Sequence, residues 1–144
     1  TRNRVESEVH MNYVRVLGNY IKEHFPESER SFIKIDLPES KSHPDTVING
    51  YRPDVFVSGL HCVIIGEAKT YGDTKNRHTR EQIKSYIEEL KSYSKDRHLL
   101  LCTSLYALPE LKNEIRRMTR EMDFSGVHIH CMNDLQIKTT IWDL

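Results

Sequence analysis

The stretch from residue 51 to residue 69 reads YRPDVFVSGLHCVIIGEAK and decides the fold. Its first half alternates valines with other residues from Val55 to Ser58, which is typical of a β-strand. Ser58 and Gly59 supply turn residues, and Cys62 then starts a nearly continuous apolar run, as in strands covered on both faces. The pattern therefore predicts a β-hairpin with its turn near Gly59.

This hairpin brings two carboxylates and an amine to one strand end. Folding at Gly59 returns Asp54, at the start of the first strand, to the end of the second strand, where Glu67 and Lys69 lie. Side chains two apart on a strand point to the same face, so Glu67 and Lys69 share a face while Ala68 points to the other. Converging acidic groups of this kind indicate a metal site.

The pattern formed by Pro53-Asp54 and Glu67-Ala68-Lys69 resembles the signature of the PD-(D/E)xK nuclease superfamily. The glutamate follows the aspartate by 13 positions; the aspartate opens one predicted strand and the Glu-x-Lys closes the next. The resemblance implies an α/β, restriction-endonuclease-like fold with an αβββαβ core, in which a mixed sheet is flanked by helices. It also implies hydrolysis of phosphodiester bonds with Mg²⁺ as the cofactor and Mn²⁺ as a substitute.

A second motif lies on the next predicted helix, which runs from about Thr79 to Tyr93. Its segment QIKSY is similar to the QxxxY motif of a subset of the superfamily, and Gln82 and Tyr86 lie one turn apart on one helix face. The resemblance implies that these two residues hold the substrate phosphate, or brace Lys69 and the metal ligands.

The resemblance also implies a role for each residue of the hairpin site. Asp54 and Glu67 would bind Mg²⁺ through carboxylate oxygens, with the backbone carbonyl of Ala68 as a third ligand. Lys69 would orient or deprotonate the attacking water, or stabilise negative charge at the phosphorus. A glutamate of the first helix often completes such a site in the superfamily.

The first helix is predicted from Arg4 to His24 by apolar residues at helical spacing, and Pro26 ends it. Glu6 falls at the edge of its apolar face, whereas Glu8 lies on the polar face. We therefore favour Glu6 as the metal ligand from this helix. The alternative is that Glu6 is an exposed acid favoured by the positive end of the helix dipole.

The segment from residue 71 to residue 80 is polar and rich in basic side chains. Four of them could contact nucleic-acid phosphates beside the metal site: Lys75, Arg77, His78 and Arg80. The alternative is a solvated loop that leads into the helix, and the sequence does not separate the two.

The rest of the chain predicts four more strands and one more helix. Alternation indicates a strand at Phe32–Leu37, and apolar runs indicate strands at His98–Thr103 and Val127–Cys131. Apolar residues at helical spacing predict a helix over Leu108–Met122, with a proline in its first turn. A last strand is expected within Gln136–Trp142.

The cysteines and two late histidines carry little chemistry in this interpretation. Cys62, Cys102 and Cys131 are odd in number and form no CxxC pair, which predicts buried thiols in a reducing compartment and a cytoplasmic location. His128 and His130 flank an apolar residue and could indicate a transition-metal site. No second ligand pair at finger-like spacing accompanies them, so we favour surface histidines.

Composition limits the class of protein. The chain has 144 residues, which predicts a single domain over residues 1–144 with a core of its own. Lys+Arg and Asp+Glu both number 21, so the formal net charge is zero. Neutrality argues against tight, indiscriminate binding to duplex DNA, whereas a local basic stripe is compatible with it.

These observations favour a metal-dependent deoxyribonuclease whose partner is DNA. One alternative is a nuclease-fold domain that binds nucleic acid or protein and cleaves weakly or not at all. Another is the nuclease module of a larger restriction or repair protein that supplies specificity. Cleavage of both strands of a duplex would favour a homodimer. The sequence leaves open whether the substrate is DNA or RNA and whether attack is internal or from an end.

Overall fold

A computed structural model describes residues 4–70 and 76–143, apart from the side chain of Glu6, as one six-stranded sheet flanked by helices. This arrangement confirms the predicted α/β class with a mixed sheet. The elements are, in chain order, α1 (Arg4–His24), α2 (Glu27–Arg30), β1 (Ile33–Ile35), β2 (Val55–Ser58), β3 (Cys62–Ala68), α3 (Arg77–Lys91), β4 (Asp96–Thr103), α4 (Leu108–Met118), β5 (Val127–Asn133) and β6 (Thr140–Asp143).

The six strands lie side by side in the order in which they occur in the chain. β1, β2 and β3 pair antiparallel, β3, β4 and β5 pair parallel, and β6 is antiparallel to β5. The carboxyl ends of the three parallel strands therefore share one edge of the sheet, and β2 begins at that same edge. Residues just before β2 and at the end of β3 meet there.

The central strand β3 is buried along its whole length, as its continuous apolar sequence predicts. Its side chains alternate between two cores: Ile64 belongs to the core under α1, and Ile65 to the core under α3 and α4. The helices thus cover both faces of the parallel strands, which explains why the strand shows no polar face.

The β2–β3 hairpin has the predicted register, with Val55 opposite Gly66. The two backbones approach closely at this pair, because a Cβ atom built on Gly66 would lie 3.0 Å from Cβ of Val55. One position further out, Asp54 and Glu67 come together. A glycine is required at position 66 for this close approach rather than for a turn.

Several element boundaries differ from the predicted ones for local reasons. α3 begins earlier, at Arg77, because Asn76 caps it by accepting a hydrogen bond from the Thr79 N–H at 2.8 Å. β1 is shorter than Phe32–Leu37, because the N–H of Leu37 turns back to the carbonyl of Ile35. α4 ends at Met118, four residues before the predicted end.

The short helix α2 escapes prediction, yet it fixes the hairpin. Glu29 is buried, and its Oε1 accepts hydrogen bonds from the backbone N–H groups of His61 at 2.7 Å and Cys62 at 2.8 Å. Burial raises the pKa of Glu29, but these hydrogen bonds and one from Ser28 outweigh it and lower the pKa to about 2. The carboxylate therefore anchors the start of β3.

The predicted surface position is wrong for His130, whereas His128 is partly exposed. His130 is buried, with Nδ1 2.8 Å from the hydroxyl of Tyr20 and Nε2 2.9 Å from Nδ1 of His98. Burial, followed by the charge of neighbouring histidines, lowers the pKa of both His98 and His130 to about 4. The α1 helix covers this part of the sheet, which the local sequence does not reveal.

The three cysteines are buried free thiols, as predicted. Burial raises the pKa of Cys62 and of Cys131 to about 12 and raises that of Cys102 as well. These thiols are therefore protonated packing groups rather than nucleophiles. Within the described ranges, no helix has the length and apolar character needed to cross a membrane.

Candidate metal centre

Asp54 lies at the centre of the candidate site. Its Oδ2 is 3.1 Å from Nε2 of His10 and accepts a hydrogen bond from the backbone N–H of Ala68 at 2.9 Å. His10, Asp54 and Glu67 each offer one ligand atom, and these atoms lie within 4.8 Å of one another. An imidazole and two carboxylates at this spacing could hold a divalent cation.

Three different elements supply these side chains. His10 is on the buried face of α1, three residues before Tyr13, and α1 packs across β3. Asp54 immediately precedes β2, and Glu67 is the penultimate residue of β3. The site therefore forms only when α1 is seated on the sheet, because the hairpin alone contributes two of the three groups.

The QxxxY motif reaches Glu67, and its role at the site stays a prediction. The hydroxyl of Tyr86 donates a hydrogen bond to Oε1 of Glu67 at 2.8 Å, and Nε2 of Gln82 donates to that hydroxyl at 3.2 Å. All three side chains are buried. Oε1 of Gln82 is also buried and has no hydrogen-bond partner among the described residues, so an acceptor remains open beside the carboxylates.

The two carboxyl groups are pushed apart in acidity. Burial, and then the negative charge of Asp54, raises the pKa of Glu67 well above its usual value, although Lys69 and Tyr86 act in the opposite direction. Burial alone would raise the pKa of Asp54. Hydrogen bonds from His10, Glu67 and the backbone outweigh burial, so the pKa of Asp54 lies below its usual value. The pKa of Glu67 is therefore shifted upward and that of Asp54 downward, although the two carboxyl groups share one site.

Lys69 is buried, although its side chain is charged. Its backbone N–H donates to the carbonyl of Cys102 at 2.8 Å, and its carbonyl accepts from Oγ1 of Thr103 at 2.7 Å. These bonds extend the pairing of β3 with β4 beyond the end of β3. The backbone of Lys69, two positions after Glu67, is thus fixed by the neighbouring strand.

A cleft of about 340 Å³ opens onto the site between α1 and the segment that follows β1. His10 and Asp54 line its floor, and Ser7, Asp36 and His43 line its walls. The cleft gives a solvent-side approach to two of the three candidate ligands. Glu67, the third candidate ligand, is not among the residues that line the cleft.

The structure describes the side chain of only one of the two glutamates that were considered as ligands on the first helix. Glu8 is exposed and lies 3.6 Å from Arg4 in an ion pair on the outer surface of α1. Glu6 belongs to α1, but its side chain lies outside the described residues, and its role stays a prediction. His10, one turn after Glu6, is the residue that α1 brings to Asp54, and the sequence interpretation missed it as a ligand.

The predicted basic segment is only partly described. Arg77 pairs with Glu81 at 3.3 Å and Arg80 with Glu114 at 3.6 Å. The ring of His78 lies 5.3 Å from that of Tyr51. Lys75 lies outside the described residues, and the role of all four in binding nucleic acid stays a prediction.

No protein-family model matches the chain, and no curated protein matches it. One similar solved structure is that of SfsA from Pyrococcus furiosus in complex with Ca²⁺, with 16% sequence identity and a TM-score of 0.47. The alignment covers 90% of this chain and 63% of that one, so this chain spans less than two thirds of the length of SfsA.

Proposed function

We propose that this chain is a divalent-metal-dependent nuclease of the PD-(D/E)xK type, which hydrolyses phosphodiester bonds in DNA. The observation that carries the proposal is the buried group of His10, Asp54 and Glu67, with Lys69 beside it. Burial of two acids and a histidine together without a cation destabilises the folded state. Such clusters are therefore typical of functional sites.

The donor set fits a divalent cation. Asp54 and Glu67 offer hard carboxylate oxygens, and the open Oε1 of Gln82 offers an acceptor for a water molecule of the cation. The nitrogen of His10 is softer than oxygen and shifts the preference of the site toward Mn²⁺ relative to Mg²⁺. Both ions remain candidates, and Mn²⁺ is the one that we expect to support more activity at low concentration.

The reaction needs an activated water, stabilisation of a doubly charged phosphorane-like transition state and an oriented phosphate. A bound divalent cation polarises the phosphoryl oxygen and lowers the pKa of its water. The ammonium of Lys69 donates hydrogen bonds toward the attacking water or a phosphate oxygen, where negative charge develops. Its burial strengthens this interaction, because the surrounding dielectric is low.

The remaining residues of the site hold the ligands in place. Tyr86 donates to one oxygen of Glu67 and so leaves the second oxygen free to turn toward the cation. Gln82 fixes the hydroxyl of Tyr86, and the Ala68 N–H fixes Asp54. Such supporting hydrogen bonds typically contribute one to two orders of magnitude in metal affinity or activity.

The experiment that tests the proposal is a cleavage assay on circular single-stranded, circular duplex and linear DNA with Mg²⁺, Mn²⁺ or EDTA. We expect cleavage that requires the metal and is lost in Asp54→Asn purified in parallel, which controls for contaminating nucleases. Cutting of circles assigns an endonuclease, and digestion of linear DNA alone assigns an exonuclease. If no metal supports cleavage, the site belongs to a binding module instead.

The assembly that acts on duplex DNA is part of the same proposal. A single metal centre cuts one strand, so cleavage of both strands calls for a homodimer or for a larger protein that carries this domain. Sedimentation of the protein with and without duplex DNA distinguishes the two. A monomer that nicks one strand would leave the domain dependent on another protein.

A further inference from the structure

A second groove, of about 420 Å³, lies between the start of α4 and the loop that joins β5 to β6. We call it the α4 groove. Its lining combines apolar and cationic side chains and, among the described residues, contains no carboxylate: Leu105, Leu108, Pro109, Lys112, Asn113, Arg116, Ile137 and Lys138. Three cations without an acid form a local excess in a chain whose formal net charge is zero.

The neighbouring groove between α3 and α4 does not have this character. Arg77, Arg80 and Lys84 line it together with Glu81 and Glu121. Its arginines are also engaged in ion pairs, as described above. The α4 groove is therefore the more cationic of the two surfaces beside α4, although the sequence had directed attention to the other.

The outer wall of the α4 groove is held in a fixed shape. Asn133 is buried, and its Oδ1 accepts from the N–H groups of Leu135 at 3.0 Å and Ile137 at 3.2 Å, while its Nδ2 donates to the carbonyl of Ile137 at 2.5 Å. Gln136 and Lys138 adopt left-handed φ angles of 56° and 45°. The exposed side chain of Ile137 is thereby presented to the groove rather than folded into the core.

Hydrogen bonds connect this groove to the metal centre along the same edge of the sheet. The carbonyl of Lys69 accepts from Thr103, the carbonyl of Thr103 accepts from the N–H of Asp134 at 3.0 Å, and Oδ1 of Asp134 accepts from the N–H of Leu105 at 2.8 Å. The groove starts beyond β4 and β5, two strand spacings from β3, or about 10 Å. This separation corresponds to about three nucleotides of a stacked strand.

We propose that the α4 groove binds a single strand of nucleic acid that continues from the metal centre. Lys112, Arg116 and Lys138 contact its phosphates, and Leu105 and Ile137 contact the faces of its bases. A positively charged groove that follows the backbone binds single strands with little sequence preference, and the aliphatic side chains here would contact base faces in place of aromatic ones. The inference rests on the proposed nuclease function and extends it from the scissile phosphate to the strand beside it.

The test compares two double variants that remove the same charge. Lys112→Gln/Lys138→Gln changes the groove, whereas Lys22→Gln/Lys91→Gln changes the ends of α1 and α3, at the opposite edge of the sheet. Binding of a labelled single strand of about 12 nucleotides is measured in EDTA, where no cleavage occurs. Initial rates on the same strand are then measured with Mn²⁺.

We expect the groove variant to bind about tenfold more weakly and the control variant to bind as the wild type does. The slope of log Kd against log salt concentration should fall by about 1.4 in the groove variant, since each phosphate contact to a single strand contributes about 0.7. KM should rise while kcat stays unchanged. Ile137→Ser should weaken binding without altering the slope, because it carries no charge.

Three results would overturn the inference. The first is equal affinity of the groove variant and the wild type for the single strand, and the second is a larger loss of duplex binding than of single-strand binding in the groove variant. The third is competition by polyglutamate as strong as that by unlabelled single strand, which would assign the groove to an acidic polypeptide. The proposed nuclease function fails separately. If the groove variant cleaves with unchanged KM, the proposed role of the groove is wrong and the proposed nuclease function stands. If binding depends on the groove but no metal supports cleavage, the proposed nuclease function is wrong and binding by the groove stands.

Discussion

Nε2 of His10 and Oδ2 of Asp54 lie 3.1 Å apart in the buried interior, although 44 positions separate the two residues in the chain. The contact joins α1 to the start of β2. It places a nitrogen donor where the resemblance to the PD-(D/E)xK superfamily led us to expect a glutamate. The metal preference that we propose for the site, and the dependence of the site on the packing of α1, both rest on this pair.

The first prediction concerns His10. His10→Ala should raise the Mn²⁺ concentration for half-maximal activity by at least about tenfold, because one of three candidate ligands is removed. Titration calorimetry of Mn²⁺ checks this directly, with Ser7→Ala, on the wall of the same cleft, as the control. His10→Asp should lower the ratio of Mn²⁺-supported to Mg²⁺-supported activity, since it offers oxygen in place of nitrogen. An unchanged ratio would remove His10 from the ligand set.

The second prediction concerns Lys69. Lys69→Met keeps most of the buried volume but loses the ammonium, so kcat should fall by at least about 100-fold while Mn²⁺ still binds. Lys84→Met, the same change on the exposed side of α3, should leave kcat unchanged. Full activity in Lys69→Met would contradict the proposed role. Loss of Mn²⁺ binding would show instead that Lys69 acts on the metal ligands, by lowering the pKa of Glu67.

The third prediction concerns the hydrogen-bonded series of Gln82, Tyr86 and Glu67. Tyr86→Phe leaves the amide of Gln82 and the carboxyl of Glu67 buried without their partner, which should lower the free energy of unfolding by about 1–3 kcal/mol. Gln82→Met in the same protein removes one of these stranded groups. The double variant should therefore lose less than the sum of the single losses in denaturant titrations. Strict additivity would mean that the two side chains are not coupled.

The fourth prediction is a pH dependence of stability that arises from His98 and His130. Their pKa values fall to about 4 in the folded protein, from the usual histidine value of 6.5. The unfolded chain therefore binds more protons below pH 6.5, and stability should decline by roughly 2 kcal/mol or more as the pH falls from 6.5 toward 4. Denaturant titrations across this range measure the decline.

A variant separates this effect from other acid-sensitive groups. His98→Asn removes one titrating ring and keeps a polar partner for His130, so the slope of stability against pH between 6.5 and 4 should decrease by about one proton. His43→Asn, which changes an exposed histidine in the loop after β1, should leave the slope as it is. Equal slopes in all three proteins would exclude the buried pair as the source.

Much of the fold was predictable, because the signals that define it are local. Alternation, a turn pair and a continuous apolar run predict the β2–β3 hairpin, and with it the proximity of Asp54 and Glu67. The QxxxY helix is similarly readable, since its two residues are one turn apart. The order of the helices and strands along the chain was predicted from the same local signals, except for α2.

The features that escaped prediction all depend on contacts between distant segments. His10 resembles any other residue on the face of an amphipathic helix until α1 is docked on the sheet. His130 is buried by Tyr20, which is 110 positions away. The α4 groove assembles from three short segments, none of which has a basic run or a motif. Residue spacing within the sequence does not reveal such contacts between distant segments.

Gly66 contributes no functional group, yet its missing side chain sets how far apart the two acids of the metal centre stand. A methyl group at this position would need a few tenths of an ångström from Val55 and would displace the strand that carries Asp54. Relatives of this chain should therefore show positions 66 and 55 changing together, a larger residue at one being accepted only with a smaller residue at the other. The spacing of the two carboxylates therefore limits which residues positions 55 and 66 can accept. A change in that spacing is best introduced by substitutions at these two positions.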